Sequence, residues 1–259
     1  MSTTPKHVNV LGVNVSAINM QIALDVIAGW AERREHHYVT ITGVHGIMES
    51  QRDSAVRDMH NRAGLVTPDG MPLVWVSHRR GFRYVDRVYG PDLMLELCRV
   101  SATTGYRHFF YGGGDGVADL LASRLAAQFP HLNVVGTYTP PFRPLTAAED
   151  EEIVQHINGS QADIVWVGLS TPKQEKWMSA HLGRLNATAM IGVGAAFDFH
   201  AGLKKQAPHW MQRRGLEWLF RLISEPRRLG RRYLINNPSF IFLILMQELG
   251  LRKYDSSKV

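Results

Sequence analysis

Cysteine is almost absent from this chain, and what is there cannot cross-link it. Cys98 is the single cysteine in 259 residues, which excludes an internal disulfide framework and any Cys-x-x-Cys zinc site. It sits in the apolar helical pattern "DLMLELCRV", the setting of a buried bystander rather than of a nucleophile. Long apolar runs are missing as well. No stretch approaches the roughly 18 to 20 residues that span a bilayer, and the opening "MSTTPKHVNVLGVNVSAINM" lacks a basic region followed by an apolar signal core. The expected location is therefore the cytoplasm. There is no internal repeat, no low-complexity segment and no Asp-x-Asp anywhere in the chain.

What is present is an ordinary globular composition, 45% hydrophobic and 20% charged, over a length that can bury a large core. One domain, or one plus an appendage, is the expected count. The formal charge of +6 is unevenly placed. Nine basic residues lie between Lys204 and Arg232, against only Glu217 and Glu225. That segment holds the whole excess, so a nearly neutral body carries one basic region suited to phosphates or an anionic surface.

Short apolar runs alternate with longer helical patterns: "YVTITGV" (38–44), "RHFFYGG" (107–113), "NVVGTY" (133–138), "DIVWVGL" (163–169) and "AMIGVGAAF" (189–197). Runs this short and this apolar are expected for strands buried on both faces of a parallel sheet. Between them, 116–129 and 146–159 read as helices, the second opening with Thr146 three residues before Glu149, a capping-box spacing. The alternation predicts an α/β, Rossmann-like layered fold with a mostly parallel sheet. After about residue 205 the composition turns to tryptophans and aliphatics interleaved with arginines, broken by Pro226 and Pro238. In "GLEWLFRLI", Leu216, Leu219, Phe220 and Ile223 fall at helical spacing. The boundaries expected are a catalytic core over 1–205 and a basic, amphipathic helical appendage over 206–259, too short in its apolar run "FIFLILM" to cross a membrane.

Four strand ends carry groups that could do chemistry. "FFYGGGDGVADLL" is a strand, a glycine turn and a helix, which aims backbone N–H groups at a phosphate. Gly112, Gly113 and Gly114 are its candidates, although the third glycine of the dinucleotide fingerprint is replaced by Val117 and no acid follows the next strand to hold a ribose. A tight strand-to-helix connection explains such a turn equally well. "VGLSTPKQEKWM" places Lys173, Gln174 and Glu175 at the edge where open α/β sheets bind ligands; a charged helix start is the plain alternative. "IGVGAAFDFHAG" ends with small residues and Asp198, whose carboxylate can accept hydrogen bonds from a ribose or a base, and with His200, more often structural than basic. "LVTPDGMPLVW" holds Asp69 between a proline and a glycine in a partly apolar setting, either a turn residue or a base with a raised pKa. Were the substrate a sugar diphosphate, the missing Asp-x-Asp leaves arginines to neutralise the leaving group.

These blocks, in this order, together with "YVTITGVHGIMES", "RVYGPDLM" and "QAPHWMQRRGLEWLFRLISEPRRLGRRY", resemble the WecG/TagA/CpsF family of bacterial glycosyltransferases, glycosyltransferase family 26. The resemblance covers nearly the whole chain. It implies an inverting, metal-independent enzyme that moves a sugar (N-acetylmannosamine, its uronic acid, or glucose) from a UDP-sugar onto a sugar carried on undecaprenyl diphosphate, for a cell-surface polysaccharide. It implies Asp69 as the general base, Thr40 and Gln174 at the substrates, and Asp198 on the uridine side. Arg221, Arg228 and Arg231 would face the diphosphate, with Arg227 and Arg232 as possible neighbours. The family's Thr-x-Asn-x-x-His block reads "TITGVH" here, with Thr42 in place of asparagine. No cofactor and no nucleic acid are expected; the expected partners are the two substrates, the inner face of the membrane, and further copies of the chain. The competing readings are a nucleotide-dependent oxidoreductase or epimerase, and a non-enzymatic basic protein that docks on membranes.

Overall fold

The computed structural model describes residues 4–255. Residues 1–3 and 256–259, the outer ends of the two expected domains, lie outside the described residues. The chain begins with β1 (His7–Val10) and β2 (Val13–Ser16), then α1 (Met20–Arg33), β3 (His37–Thr42), α2 (Val44–Arg52), α3 (Ser54–Asn61), β4 (Leu65–Pro68) and α4 (Met71–Arg79). It continues through α5 (Gly90–Thr104), β5 (Arg107–Gly112), α6 (Val117–Gln128), β6 (Asn133–Tyr138), α7 (Ala147–Gly159), β7 (Ile164–Gly168) and α8 (Lys173–His181). The last elements are β8 (Ala189–Gly192), α9 (Ala196–His200), α10 (His209–Arg213), α11 (Glu217–Ser224) and α12 (Pro226–Glu248).

The fold is α/β, with a six-stranded, mostly parallel sheet flanked by helices. By internal packing the described residues form two units, 22–40 with 90–205, and 4–21 with 41–89 and 206–255. In the first, β3, β8, β7, β5 and β6 lie side by side in that order, and the pairings from β3 to β6 are all parallel. Phe109, Phe110, Tyr111, Val165, Trp166, Val167 and Ile191 are all buried, which is why these strands read as unbroken apolar runs rather than as alternations. Parallel strands point the same way, so every loop after a strand opens at one edge of this sheet. The expected capping box closes α7: Thr146 accepts from the Glu149 backbone while the Glu149 carboxylate accepts from the Thr146 N–H.

The second unit holds β4 and the antiparallel pair β1–β2, whose two-residue turn places Leu11 and Gly12 at φ 51° and 85°. Two successive positive φ values match the right-handed twist of a hairpin, and full burial of Leu11 among Val8, Val10, Val13, Val15, Ile47 and Val66 offsets the strain of a left-handed leucine. Phe240 of α12 completes this core. Pro226 opens α12 at a position where its missing N–H has no partner to lose. Pro238, expected to break the tail, lies inside a continuous helix. It removes one hydrogen bond, to the carbonyl of Leu234, and Leu234 is 72% exposed, so water can satisfy that oxygen.

Candidate active site

β4 is buried along its whole length and stops at Pro68, so the next residue leaves the sheet from a fixed point. That residue is Asp69. Its N–H donates to the Thr42 carbonyl at 3.0 Å, and Gly70 then caps α4, with Pro72 in the first turn. A Cβ built on Gly43, the cap of α2, would stand 3.5 Å from Asp69 Oδ2. The entry to α2 therefore lies beside the carboxylate. Arg87 secures the other side: its Nε donates to the Asp69 carbonyl, its Nη1 to Gln212 Oε1 at 3.0 Å, and its Nη2 pairs with Glu217. The guanidinium also lies 3.9 Å over the Tyr89 ring. Burial opposes the Arg87 charge, but Asp69, Glu217 and Tyr89 outweigh it and hold its pKa above the ordinary value. The carboxylate of Asp69 therefore acts on guanidinium groups, not only on the apolar residues that the sequence places around it.

Two arginines of the C-terminal segment belong to the same cluster. Arg221 of α11 interacts electrostatically with Tyr233, Glu217, Tyr89 and Asp69, which together overcome its burial and keep its pKa raised. Arg232 of α12 is in the opposite condition. Burial first, and then the charges of Arg221 and Arg228, pull its pKa down to about 10, against the opposing pull of Tyr233. Its Nε is buried without a hydrogen-bond partner among the described residues. Three guanidiniums close enough to repel, one of them poorly compensated, form a place where an anion lowers the energy of the empty protein. Arg228 itself pairs with Glu225 and is half exposed, and Arg231 is exposed.

The remaining candidates belong to the first unit and lie at the strand ends of its sheet. Thr40, fully buried, is in register with Gly192 of β8. Gln174, at the second position of α8, donates from Nε2 to the Gly192 carbonyl at 3.0 Å. Its Oε1 stands 3.3 Å from where Gly194 would carry a Cβ, and that oxygen is buried without a partner among the described residues. Glu175, read in the sequence as part of a charged helix start, is completely buried; Oε1 accepts from Thr171 Oγ1 at 2.9 Å. The glycine turn is built for close approach. Gly112 (φ 120°) has the Gly168 backbone 2.8 Å from any added Cβ, and Gly113 (φ 80°) donates its N–H to the Gly168 carbonyl. Gly114 follows within the turn, and Gly116, at φ 72°, caps α6. Phe197 packs against Gly113 and Gly168, which brings its neighbour Asp198 close to this turn; the Asp198 carboxylate pairs with Lys204 at 2.8 Å.

Thus Thr40 meets Gln174 through Gly192, Gly112 and Gly113 meet the Asp198 helix through Gly168 and Phe197, and Asp69 meets Arg221 in the second unit. His200 is engaged structurally, with Nε2 at 2.9 Å from the Pro91 carbonyl, and burial lowers its pKa. Burial pushes the Cys98 thiol up to about 12, which keeps it inert. Sequence reasoning gave no role to Arg87, Tyr89, Gln212 or Glu217. The block "RVYGPDLM" contains the first two, but nothing local in it announces partners more than a hundred residues away. Among the described residues no three His, Cys, Asp or Glu side chains converge to hold a metal.

The profile of the family described as "Glycosyl transferase WecG/TagA/CpsF family" matches residues 8–254. Similar proteins include three named N-acetylglucosaminyldiphosphoundecaprenol N-acetyl-beta-D-mannosaminyltransferase, from Staphylococcus aureus strains MW2, NCTC 8325 / PS 47 and MRSA252. Each is 26% identical over 254 residues, which cover 97% of either chain. With the match running almost from end to end, this chain belongs to the WecG/TagA/CpsF family and is a glycosyltransferase.

Proposed function

We propose that this enzyme moves N-acetylmannosamine from its UDP-activated form onto N-acetylglucosamine carried on undecaprenyl diphosphate, with inversion and without a metal ion, in the synthesis of a cell-surface polysaccharide. The acceptor and the transferred sugar follow the names of the relatives. The observation that carries the mechanism is the guanidinium cluster around Asp69, with Arg232 left poorly compensated. Asp69 takes the proton of the acceptor hydroxyl as its oxygen attacks the anomeric carbon. The bond from that carbon to the β-phosphate oxygen breaks, and UDP departs with the electron pair. Arg221, Arg228 and Arg231, joined by Arg232, meet the charge developing on the diphosphate, the task that a divalent ion performs in metal-dependent transferases. Thr40 and Gln174 hold the sugars, and the Gly112–Gly114 turn and Asp198 hold the nucleotide.

The 206–259 segment serves as the appendage that meets the acceptor at the inner face of the membrane. No helix among the described residues is long and apolar enough to cross a bilayer; basic residues and an exposed apolar stripe suit reversible docking on an anionic leaflet. Association of copies of the chain would cover that stripe away from the membrane. Detergent-solubilised enzyme supplied with UDP-N-acetylmannosamine and a short-chain N-acetylglucosaminyl diphospholipid tests the reading. UDP release should require both substrates, survive EDTA, and fall by about 10²- to 10⁴-fold in Asp69→Asn, the range lost with a general base. Release that needs an added metal ion, or an Asp69→Asn variant as fast as the parent, would sink the mechanism.

A further inference from the structure

β8 ends at Gly192, and the Gln174 side chain of α8 lies on that strand end, where a Cβ at residue 192 would stand 3.0 Å from its Nε2. Its hydrogen bonds fix which way the amide points. Nε2 donates to the Gly192 carbonyl at 3.0 Å and to Glu175 Oε1 at 3.3 Å. Reversing the amide would set its oxygen against a carbonyl that only accepts, so Oε1 is the atom left over. Glu175 is held in turn by Thr171, whose Oγ1 donates to the same Oε1 at 2.9 Å. Gln174 is 3% exposed and Glu175 0%, and neither Gln174 Oε1 nor Glu175 Oε2 has a hydrogen-bond partner among the described residues. Folded proteins rarely leave buried acceptors unpaired, so such an atom at a sheet edge marks a place that a ligand completes. Oε1 stands at the edge where open α/β sheets bind ligands. Beside it are half-buried Gly194 and exposed Ser170, each two residues past the end of its strand, β8 and β7. A side chain at 194 would begin 3.3 Å from Oε1 and 3.7 Å from Ser170 Cα, and would cover the oxygen.

We propose that Glu175 is a positioning residue for the donor sugar: its carboxyl clamps the Gln174 amide so that Oε1 accepts a hydrogen bond from an O–H or N–H of the sugar carried by the nucleotide. The clamp stands on geometry alone; its use on a sugar rests on the glycosyl-transfer reading. An oxygen that only accepts refuses a phosphoryl oxygen, which also only accepts, so this corner takes the sugar and not the diphosphate. The donor sugar is favoured over the acceptor because the loops of Ser170 and Gly194 also carry Gly168, against which the glycine turn packs, and Asp198. Since Oε1 is withdrawn from water, a sugar without the matching donor leaves it unpaired, and discrimination is large.

Full-length protein labelled with ¹⁵N-glutamine tests the clamp without substrate. The Gln174 NH₂ protons, recognised by loss of their signals in Gln174→Leu, should exchange slowly with solvent, and at least about tenfold faster in Glu175→Leu. The sugar contact is read with UDP-N-acetylmannosamine and analogues lacking one donor at a time, fluorine for each hydroxyl and an ester for the acetamido N–H. In the parent one analogue should lose at least about tenfold in kcat/KM, and Gln174→Leu should no longer distinguish that analogue from the full sugar. Glu175→Leu should weaken the same discrimination, and Glu175→Gln, which keeps an oxygen for Gln174 and Thr171, should restore it. Should Glu175→Leu fail to fold, Thr171→Val, at a half-buried position, releases the carboxyl and should loosen both the amide and the discrimination. Fast exchange in the parent, or exchange unchanged in Glu175→Leu and Thr171→Val, overturns the clamp. Discrimination as large in Gln174→Leu as in the parent, or analogues that all react like the full sugar, overturns the contact with the donor sugar. A parent that transfers no sugar from any UDP donor, yet protects the amide, refutes the transferase reading and the sugar contact with it, and leaves the clamp standing.

Discussion

Arg232 shows what a charge does when a fold holds it without full compensation. Its pKa is pulled well down, to about 10, by burial first and then by Arg221 and Arg228. Below pH 10 the residue is charged in both folded and unfolded chains, so the folded state bears the whole penalty, which is relieved only as pH climbs above 10 toward the ordinary arginine range. At about 1.4 kcal/mol per pKa unit, that penalty is on the order of 3 kcal/mol near neutrality. Arg232→Met should therefore stabilise the protein by roughly 2–3 kcal/mol in urea unfolding at pH 7.5, while lowering kcat/KM at least about tenfold. A variant that loses stability would show that the guanidinium has a partner that outweighs its burial, and the anion-site argument would fail with it. Arg228 and Arg232 stand four residues apart in "RRLGRRY", so their shared helical side was legible in the sequence. Which arginine is buried was not, because that depends on Tyr233 and Arg221. Arg87 was less legible still, since Gln212 and Glu217 lie 125 and 130 residues along the chain.

Strands buried on both faces carry their own signature, and β5, β6 and β7 lie within a residue of where apolar runs placed them. β8 is shorter than its run, because "GAAF" after it turns into α9 rather than continuing the strand. The tail was harder to read, since an interior proline argues for a break, yet Pro238 faces water and the helix runs through it. The result is a 23-residue α12 with two apolar faces. Leu229, Phe240, Leu243 and Ile244 are buried or partly so, whereas Leu234, Ile241, Phe242, Leu245 and Leu249 are exposed at spacings of three, four and seven, a continuous stripe. Exposed Arg213, Arg214, Arg227 and Arg231 accompany it in the same segment. Under the proposed function this stripe enters the headgroup region and the arginines meet anionic lipid, each basic group adding about 1 kcal/mol. Leu234→Glu with Leu245→Glu should weaken sedimentation with anionic vesicles at least about tenfold, yet leave turnover of a detergent-solubilised short-chain acceptor within about twofold. Added salt should weaken the parent's vesicle binding as well. Vesicle binding indifferent to both changes would remove α12 as the docking element.

At the scale of the whole molecule, the α/β class and the parallel sheet could be read from the alternation of runs, but the way the chain divides could not. Residues 4–21 and 41–89 pack with the C-terminal segment, and no composition shift marks Thr40 or Tyr89 as a boundary. Long-range packing alone decides that. The sheet of the first unit also sets an acid limit on stability, through a histidine that takes no part in the site. His108 in β5 is fully buried; its Nδ1 accepts from Trp166 Nε1 at 2.9 Å, so its proton is on Nε2, which has no partner among the described residues. Burial, only partly opposed by Asp163, lowers its pKa from 6.5 to about 4. An unfolded chain binds a proton at this ring below pH 6.5 that the folded chain refuses until about pH 4. The contribution is therefore complete above pH 6.5 and is lost as pH falls through that window, with a slope of up to about 1.4 kcal/mol per pH unit and a total on the order of 3 kcal/mol. Asp163, whose own pKa is lowered mainly by Arg107 against its burial, adds its loss only below about pH 3.8, so the two are separable. His108→Gln keeps an acceptor for Trp166 and does not titrate. Urea unfolding of parent and variant from pH 7 to pH 4 should give curves that converge toward acid, the variant's slope being smaller by nearly one proton. Parallel curves would mean that His108 titrates alike in both states, and the acid sensitivity of the sheet would then have to come from its carboxylates.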